Sequence, residues 1–135
     1  MAADEAETVS TLIAAFNGGA DEIQRVKALI AQDGEMRPLS AQIEATNYVG
    51  PEGLVRFYDD LHTDWNDLEL RVYDTRARPG LVVALARLSA RGRVSGVELD
   101  LPIGIVWELR DGLVQSAQSF SDPDDALRAA GLEDE

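Results

Sequence analysis

The sequence predicts an α+β fold in which helices precede an antiparallel sheet. Apolar residues recur at helical spacing in the first half of the chain and alternate in the second half. An Asp111-Gly112 pair between two apolar runs is typical of a two-residue β-hairpin turn. Helices followed by consecutive hairpins favour an α+β architecture over a parallel βαβ unit.

The first two helices are indicated by apolar stripes. The first stripe ends at Asn17-Gly18-Gly19, where glycine favours a helix stop. The second helix is expected from Asp21 to Gly34. The residues that the two helices would turn inward are Val9, Leu12, Ile13, Phe16, Ile23, Val26, Leu29 and Ile30.

The third helix is expected to start at Gly50-Pro51, because proline suits the first helical turn. Its stripe consists of Leu54, Phe57, Tyr58, Leu61 and Trp65. Before it, residues 35–39 fit a short strand that Pro38 confines to a sheet edge. Residues 40–49 give no clear pattern.

Alternation then predicts four strands, over residues 68–75, 81–90, 97–109 and 113–121. Turn residues separate each strand from the next. A short C-terminal helix should open at Asp122-Pro123 and end at Gly131.

The hairpin turns predict which side chains share a face of the sheet. A two-residue turn at Asp111-Gly112 places Leu109 opposite Val114, and a turn centred on residues 93–94 places Leu99 opposite Leu88. One nearly apolar face results, which we expect to be concave and covered by the helices. It holds Val82, Ala84, Ala86, Leu88, Leu99, Leu101, Ile103, Ile105, Trp107, Val114, Ser116, Gln118 and Phe120. In this register Trp107 opposes Ser116, Ile105 opposes Gln118 and Ile103 opposes Phe120.

The opposite, outer face of the sheet is mixed in polarity. Arg87 and Asp100 are predicted to lie directly opposite each other there, as a cross-strand ion pair or, alternatively, as a charged pair facing a cavity. Because apolar residues occur on both faces, both need a cover. A second subunit is the simplest cover for the outer face, so we expect a homodimer.

Composition limits the classes of function. The 135 residues fit a single domain, 1–135, and 45% hydrophobic with 27% charged residues is typical of a soluble globular protein. No apolar run is long enough to span a membrane, and the acidic N-terminus does not resemble a signal peptide. A cytoplasmic protein without a membrane partner is therefore expected.

Charge and the lack of cysteine narrow the chemistry further. A net charge of −13 repels phosphate backbones, so nucleic acid is not expected as a partner. No cysteine and a single histidine exclude thiolate chemistry and a histidine-rich metal site. A carboxylate site stays open, but the sequence assigns no metal and no cofactor.

Several segments together resemble the SnoaL-like branch of the nuclear transport factor 2-like superfamily. The resemblance implies a cone-shaped α+β barrel, in which a curved antiparallel sheet packs against about three N-terminal helices, with a short C-terminal helix. It also implies a pocket between helices and sheet, and usually a dimer; relatives include polyketide cyclases and ketosteroid isomerases. The segments are residues 9–19 (VSTLIAAFNGG), 48–54 (YVGPEGL) followed by Trp65, 95–99 (SGVEL), 106–112 (VWELRDG), 120–122 (FSD) and 126–132 (ALRAAGL).

Two residues are candidates for proton transfer. Asp122 matches the terminal-strand aspartate of the family, although aspartate is also a preferred N-cap before a helix that begins with proline. His62 lies on the third helix and would act as a base if it faced the pocket; a helix-edge structural role is the alternative. The family's cyclases carry a histidine close to the position of Ile105, and isoleucine cannot transfer protons.

Other residues are candidates for ligand binding. Tyr48 and Tyr58 would donate phenolic hydrogen bonds, unless they only pack in the core. Ser116 and Gln118 would be polar groups within an apolar wall, where a ligand, water or helix backbone must satisfy them. The predicted wall itself consists of Ile103, Ile105, Trp107 and Phe120.

Two functions follow from these features. The first is a protein with an apolar pocket for a small hydrophobic or cyclic molecule, acting as a lyase or isomerase on a cyclic or carbonyl compound. The second is a non-catalytic ligand-binding or dimerisation module. Ile105 at the histidine position favours the second function.

Overall fold

A computed structural model describes residues 2–38 and 48–132 of the chain. The helices of this part are α1 (Ala2–Gly18), α2 (Ala20–Val26), α3 (Gly50–Asp64) and α4 (Pro123–Ala130). Leu39 of the predicted edge strand, and residues 40–47 of the segment without a clear pattern, lie outside the described residues. None of the described helices is long and apolar enough to cross a membrane.

The described strands form a six-stranded sheet in the order β2-β1-β6-β5-β4-β3. Their bounds are β1 (Ile30–Arg37), β2 (Tyr48–Val49), β3 (Trp65–Arg78), β4 (Leu81–Gly92), β5 (Glu98–Arg110) and β6 (Leu113–Phe120). Strands β3 to β6 form the predicted antiparallel meander. The sheet as a whole is mixed rather than antiparallel, because β1 runs parallel to β6.

The second helix is shorter than predicted, and the strand after it is longer. Helix α2 ends at Val26, a 3₁₀ turn covers Lys27–Leu29, and Ile30 begins strand β1. A short apolar run fits a buried strand as well as a helix face, so periodicity alone does not separate the two. Trp65 was likewise expected on the third helix but is the first residue of β3.

The main core lies on the concave face of the sheet, as predicted. The helices contribute their apolar stripes, including Val9, Leu12 and Leu54, and the strands contribute Val82, Ala84, Ala86, Ile103, Ile105 and Trp107. Side-chain hydrogen bonds connect the end of α1 to β3. The Asn17 amide donates to the Leu70 carbonyl at 2.8 Å, and its oxygen accepts from the Leu70 amide at 2.9 Å.

A second apolar cluster lies on the outer face and is covered by α4. Ala126, Leu127 and Ala130 of the helix pack with Val83, Leu85, Val106 and Leu132, and with the partly buried Phe120. Gly104 permits this contact, since a Cβ there would lie 2.5 Å from the Cβ of Ala126. The chain itself therefore covers part of the face for which a second subunit was inferred.

The two hairpins confirm the predicted faces of β4 and β5, with one shift in register. Asp111 and Gly112 have φ values of 56° and 80°, as a two-residue hairpin turn requires. In the β4–β5 hairpin the turn lies further along the chain, and Leu101 rather than Leu99 lies opposite Leu88. A shift of two residues keeps every side chain on its predicted face.

The same shift separates Arg87 from its predicted partner position. Arg87 lies opposite Pro102, whereas Asp100 lies opposite Ser89. The Arg87 Nε atom still reaches Asp100 Oδ1 diagonally at 3.0 Å. Both side chains are exposed on the outer face, so the pair is a surface ion pair and does not face a cavity.

Candidate functional site

A cavity of about 250 Å³ lies between the helices and the concave face of the sheet. Helices α1 and α3 form one side of it, strands β3 to β6 the other, and the end of β1 completes the lining. Its lining residues are Leu12, Ile13, Phe16, Met36, Arg37, Pro38, Leu54, Phe57, Leu61, Leu70, Leu88, Leu99, Ile103, Ile105, Trp107, Ala117 and Ser119.

Strand β5 supplies the centre of the sheet wall. Ile103, Ile105 and Trp107 alternate with residues of the outer face, so all three side chains point to the helices. Small residues of β4, Ala84 and Ala86, lie beside Ile105 and Ile103. These three residues of β5, which the sequence predicted as a pocket wall, are among the residues that line the cavity.

Strand β6 contains a bulge that overturns part of the predicted wall. Leu109 lies opposite Val114 as predicted, but the next pair is Glu108 with Ser116, which leaves Gln115 as an extra residue. Beyond the bulge, Trp107 lies opposite Ala117 and Ile105 opposite Ser119. A slip of one residue reverses the faces of a strand.

The predicted position of Ser116, Gln118 and Phe120 on the concave face is therefore wrong. Ser116 and Gln118 are not among the cavity lining, and Phe120 packs in the outer cluster under α4. Ala117 and Ser119 take their places in the wall. A bulge inside a strand leaves no mark in alternation this short, so the sequence did not reveal it.

The aromatic candidates on and before α3 pack beside the cavity instead of lining it. Tyr48 is buried, and its hydroxyl donates to Asp60 Oδ2 at 2.7 Å. Tyr58 is buried against His62, with 4.0 Å between the ring centroids. Burial is the main reason that the pKa of the Tyr58 hydroxyl is raised above its ordinary value, with the Asp59 charge adding to it.

His62 is fixed by contacts within its own helix. Its Nδ1 atom lies 2.9 Å from the Tyr58 carbonyl oxygen. Because a carbonyl only accepts, Nδ1 carries the proton in this contact. The ring meets the lining residue Phe16 edge-on at 6.3 Å between centroids, and His62 itself is not among the described lining residues.

Asp122 caps helix α4. Its Oδ1 atom accepts a hydrogen bond from the Asp124 amide at 2.9 Å, and its carbonyl accepts one from the Asp125 amide at 3.0 Å. The side chain is exposed and is not part of the cavity lining. The structure thus gives Asp122 the capping contact that was the alternative to proton transfer.

Few polar groups face the cavity. Among the described lining residues, those with polar side chains are Arg37, Ser119 and Trp107. Arg37 is exposed and forms an ion pair with Glu35 at 3.0 Å. No cluster of metal-binding side chains occurs within residues 2–38 and 48–132.

Trp107 holds an unsatisfied donor. Its side chain is 8% exposed, and within the described chain its Nε1 is the buried side-chain atom that lacks a hydrogen-bond partner. Leaving a buried donor unpaired costs about 1–3 kcal/mol.

The helix side of the cavity was predicted only as core. Leu12, Ile13, Phe16, Leu54, Phe57 and Leu61 belong to the predicted stripes, yet they were not named as ligand contacts. The same stripe pattern describes a filled core and a cavity wall. Nothing in the sequence of these helices separates the two.

Comparison with known proteins agrees with this architecture. The chain matches the family model described as SnoaL-like domain over residues 9–117. Helix α4 lies beyond the matched region. No curated protein sequence matches the chain.

Solved structures with the same fold are distant in sequence. One from Jannaschia sp. CCS1, named after SnoaL-like polyketide cyclases, is 22% identical, covers 96% of this chain and 90% of its own, and has a TM-score of 0.73. A protein with a ketosteroid isomerase-like fold from Catenulispora acidiphila, in complex with trimethylamine, is 16% identical over 93% of both chains, with a TM-score of 0.75. TerC, co-crystallised with polyporic acid, is 16% identical over 98% of this chain and 99% of its own, with a TM-score of 0.75.

The family match covers more than half of the chain, and the described sheet and helices match the α+β cone of the solved structures. The chain therefore belongs to the SnoaL-like domain family and has the nuclear transport factor 2-like fold.

Proposed function

We propose that the cavity binds a neutral, apolar small molecule and does not transform it. The observation that carries this proposal is the composition of the described part of the lining, whose side chains are apolar except for Arg37, Ser119 and the indole of Trp107. Burial of apolar ligand surface against such a wall stabilises a complex by about 25 cal/mol per Å². A charged ligand would lose its hydration without gaining a partner.

The lining also argues against proton transfer. General acid–base catalysis needs a side chain that titrates near the working pH within reach of the ligand. Among the described lining residues there is no aspartate, glutamate, histidine, lysine, cysteine or tyrosine. Asp122 and His62, the candidates for a lyase or isomerase, are held by backbone contacts away from the lining.

The structural relatives support a small-molecule site in this fold. Two of them hold trimethylamine and polyporic acid. These ligands belong to those proteins, and the present chain shares at most 22% identity with the relatives described above. A homodimer through the outer sheet face and a cytoplasmic location are further proposals that accompany this function.

Binding is tested by titrating the chain with the neutral fluorescent probe N-phenyl-1-naphthylamine and displacing it with tetralin, a bicyclic hydrocarbon. We expect saturable fluorescence enhancement and competitive displacement. Enhancement that is absent, or that tetralin does not reverse, would refute the proposed function.

The lack of catalysis is tested with 1-tetralone, the ketone of the same skeleton. A base in the site would accelerate the exchange of its C2 protons in deuterated buffer. We expect the exchange rate followed by NMR to be the same with and without protein. Acceleration that is lost in His62→Gln or Asp122→Asn would restore the lyase or isomerase hypothesis.

A further inference from the structure

We propose that Trp107 is the polar anchor of the cavity, and that its indole N–H donates a hydrogen bond to an oxygen of the ligand. The ligand class would then be a neutral, mostly apolar molecule that carries a carbonyl or ether oxygen. This inference rests on the proposed function and specifies the chemistry of the same site.

The position of Trp107 supports the inference. It lies on the central strand β5, opposite Val82 of β4 and Ala117 of β6. The side chain is more than nine-tenths buried and lines the cavity, while its Nε1 has no partner among the described residues. Buried indole N–H groups normally have an acceptor. Nε1 itself has almost no accessible surface, so a ligand oxygen would accept from it by displacing atoms packed around it.

Ser119 provides a second polar group on the same wall. It lies opposite Ile105, which makes it the diagonal cross-strand neighbour of Trp107. Diagonal neighbours are about 7–8 Å apart at their Cα atoms, a distance that one small oxygen-bearing ligand spans. The hydroxyl of Ser119 donates or accepts, so it tolerates several oxygen groups, whereas the indole selects an acceptor.

The described lining disfavours ionic ligands. Its one charged residue, Arg37, lies opposite Gln118 of the outer face, and its exposed guanidinium pairs with Glu35 at 3.0 Å. A carboxylate or ammonium ligand would be buried without a counter-charge, which is strongly unfavourable. A neutral oxygen satisfies Trp107 without that cost.

The direct test follows the indole N–H resonance of Trp107 by ¹H–¹⁵N NMR. The chain has two tryptophans, so a Trp65→Phe variant leaves Trp107 as the single indole signal. We expect 1-tetralone to shift the Trp107 indole proton downfield, as hydrogen bonding to a carbonyl does. Tetralin, which fills the same space without an oxygen, should not cause this downfield shift.

Variants make the test quantitative. Trp107→Phe removes the donor and keeps an aromatic ring, and it should weaken 1-tetralone about ten-fold while changing tetralin affinity less than about two-fold. Trp65→Phe, outside the lining, is the matched control and should change the affinity for neither ligand. Thermal unfolding of each variant verifies that it is folded.

The outcomes separate this inference from the proposed function. If both ligands bind but Trp107→Phe weakens them equally, and no downfield shift is seen, the anchor role is refuted and the apolar site stands. If neither ligand binds wild-type protein, both proposals are refuted. The NMR shift decides the question even where Trp107→Phe does not fold.

Discussion

The sequence left two roles open for Asp122, proton transfer and helix capping. The structure shows the capping contact. The Asp122 carboxylate accepts from the Asp124 amide at the start of α4, and Pro123 occupies the first helical turn. Gly131 closes the helix in the left-handed conformation, with a φ of 73°. The sequence indicated both helix ends, and the capping role follows from them.

Loss of this cap should destabilise the fold without affecting ligand binding. We expect Asp122→Ala to lower the free energy of unfolding by about 1 kcal/mol in urea denaturation, because an N-cap acceptor is lost. Asp122→Asn retains an acceptor and is the control, with a much smaller change. Weaker binding of N-phenyl-1-naphthylamine to a folded Asp122→Ala protein would contradict the capping role.

Tyr58 gives a pH dependence of stability. Its hydroxyl has a pKa above the ordinary value of 10.0, chiefly through burial, so folding favours the protonated form. Below pH 10 the Tyr58 hydroxyl keeps its proton in both the folded and the unfolded chain, so its full contribution to stability is present. As pH rises above 10 the unfolded chain ionises first, and stability falls until the folded group also ionises.

The Tyr58→Phe variant should lack this part of the decrease in stability at alkaline pH. Urea midpoints measured from pH 8 to 11 should fall more steeply for wild type than for the variant. Tyr73→Phe, which changes an exposed tyrosine, is the control and should behave like wild type. Identical slopes for wild type and Tyr58→Phe would contradict the assignment.

At the level of the secondary-structure elements, β6 is a strand whose side-chain faces the sequence predicted only in part. Asp111-Gly112 fixed the pair of Leu109 with Val114 correctly, and alternation placed the wall residues of β5. The bulge at Gln115 then reverses every later side chain. Alternation constrains a face only while the register is unbroken, and the polar Gln115, Ser116 and Gln118 carry no apolar pattern that would reveal the break.

The sequence also did not predict that helix α4 covers part of the outer face of the sheet. The apolar spacing of α4 was visible, but the strand face on which it packs depends on the fold of the whole sheet. Gly104 is the structural sign of that contact, since a side chain there meets Ala126 and Pro123 of the helix. Glycine within a strand often indicates a close approach of this kind.

Gly104→Ala should therefore displace α4. The added Cβ would lie 2.5 Å from Ala126 Cβ and 3.1 Å from Pro123 Cα, so the helix must move. We expect a loss of about 1–3 kcal/mol in the free energy of unfolding. Pro102→Ala, at an exposed position of the same strand, is the control. An unchanged stability for Gly104→Ala would contradict the packing of α4.

At the scale of the molecule, helix α4 changes the argument for a dimer. It covers Val83, Leu85 and Val106, which were part of the case for a second subunit. The uncovered remainder of the outer face carries cross-strand ion pairs such as Arg87 with Asp100. A dimer would therefore use a polar interface, and its stability should depend on salt.

We expect sedimentation equilibrium at micromolar concentration to give twice the 14.7 kDa chain mass, decreasing as salt is raised. Arg87→Glu should weaken the association, since it places like charges beside Asp100. Arg25→Glu, on helix α2 away from the sheet face, is the control for the change in net charge. A mass of one chain at every salt concentration would exclude the proposed dimer.

We propose above that the apolar cavity on the concave face binds a neutral small molecule. Neighbouring residues of β6 test it, because Ala117 lines the cavity and Gln118 lies on the outer face. Ala117→Phe fills the cavity and Gln118→Phe adds the same ring outside it. The measurement is the affinity of both folded variants for N-phenyl-1-naphthylamine. We predict at least about ten-fold weaker binding for Ala117→Phe and wild-type affinity for Gln118→Phe. Wild-type affinity for Ala117→Phe, with or without a loss in Gln118→Phe, would show that the probe does not bind in this cavity.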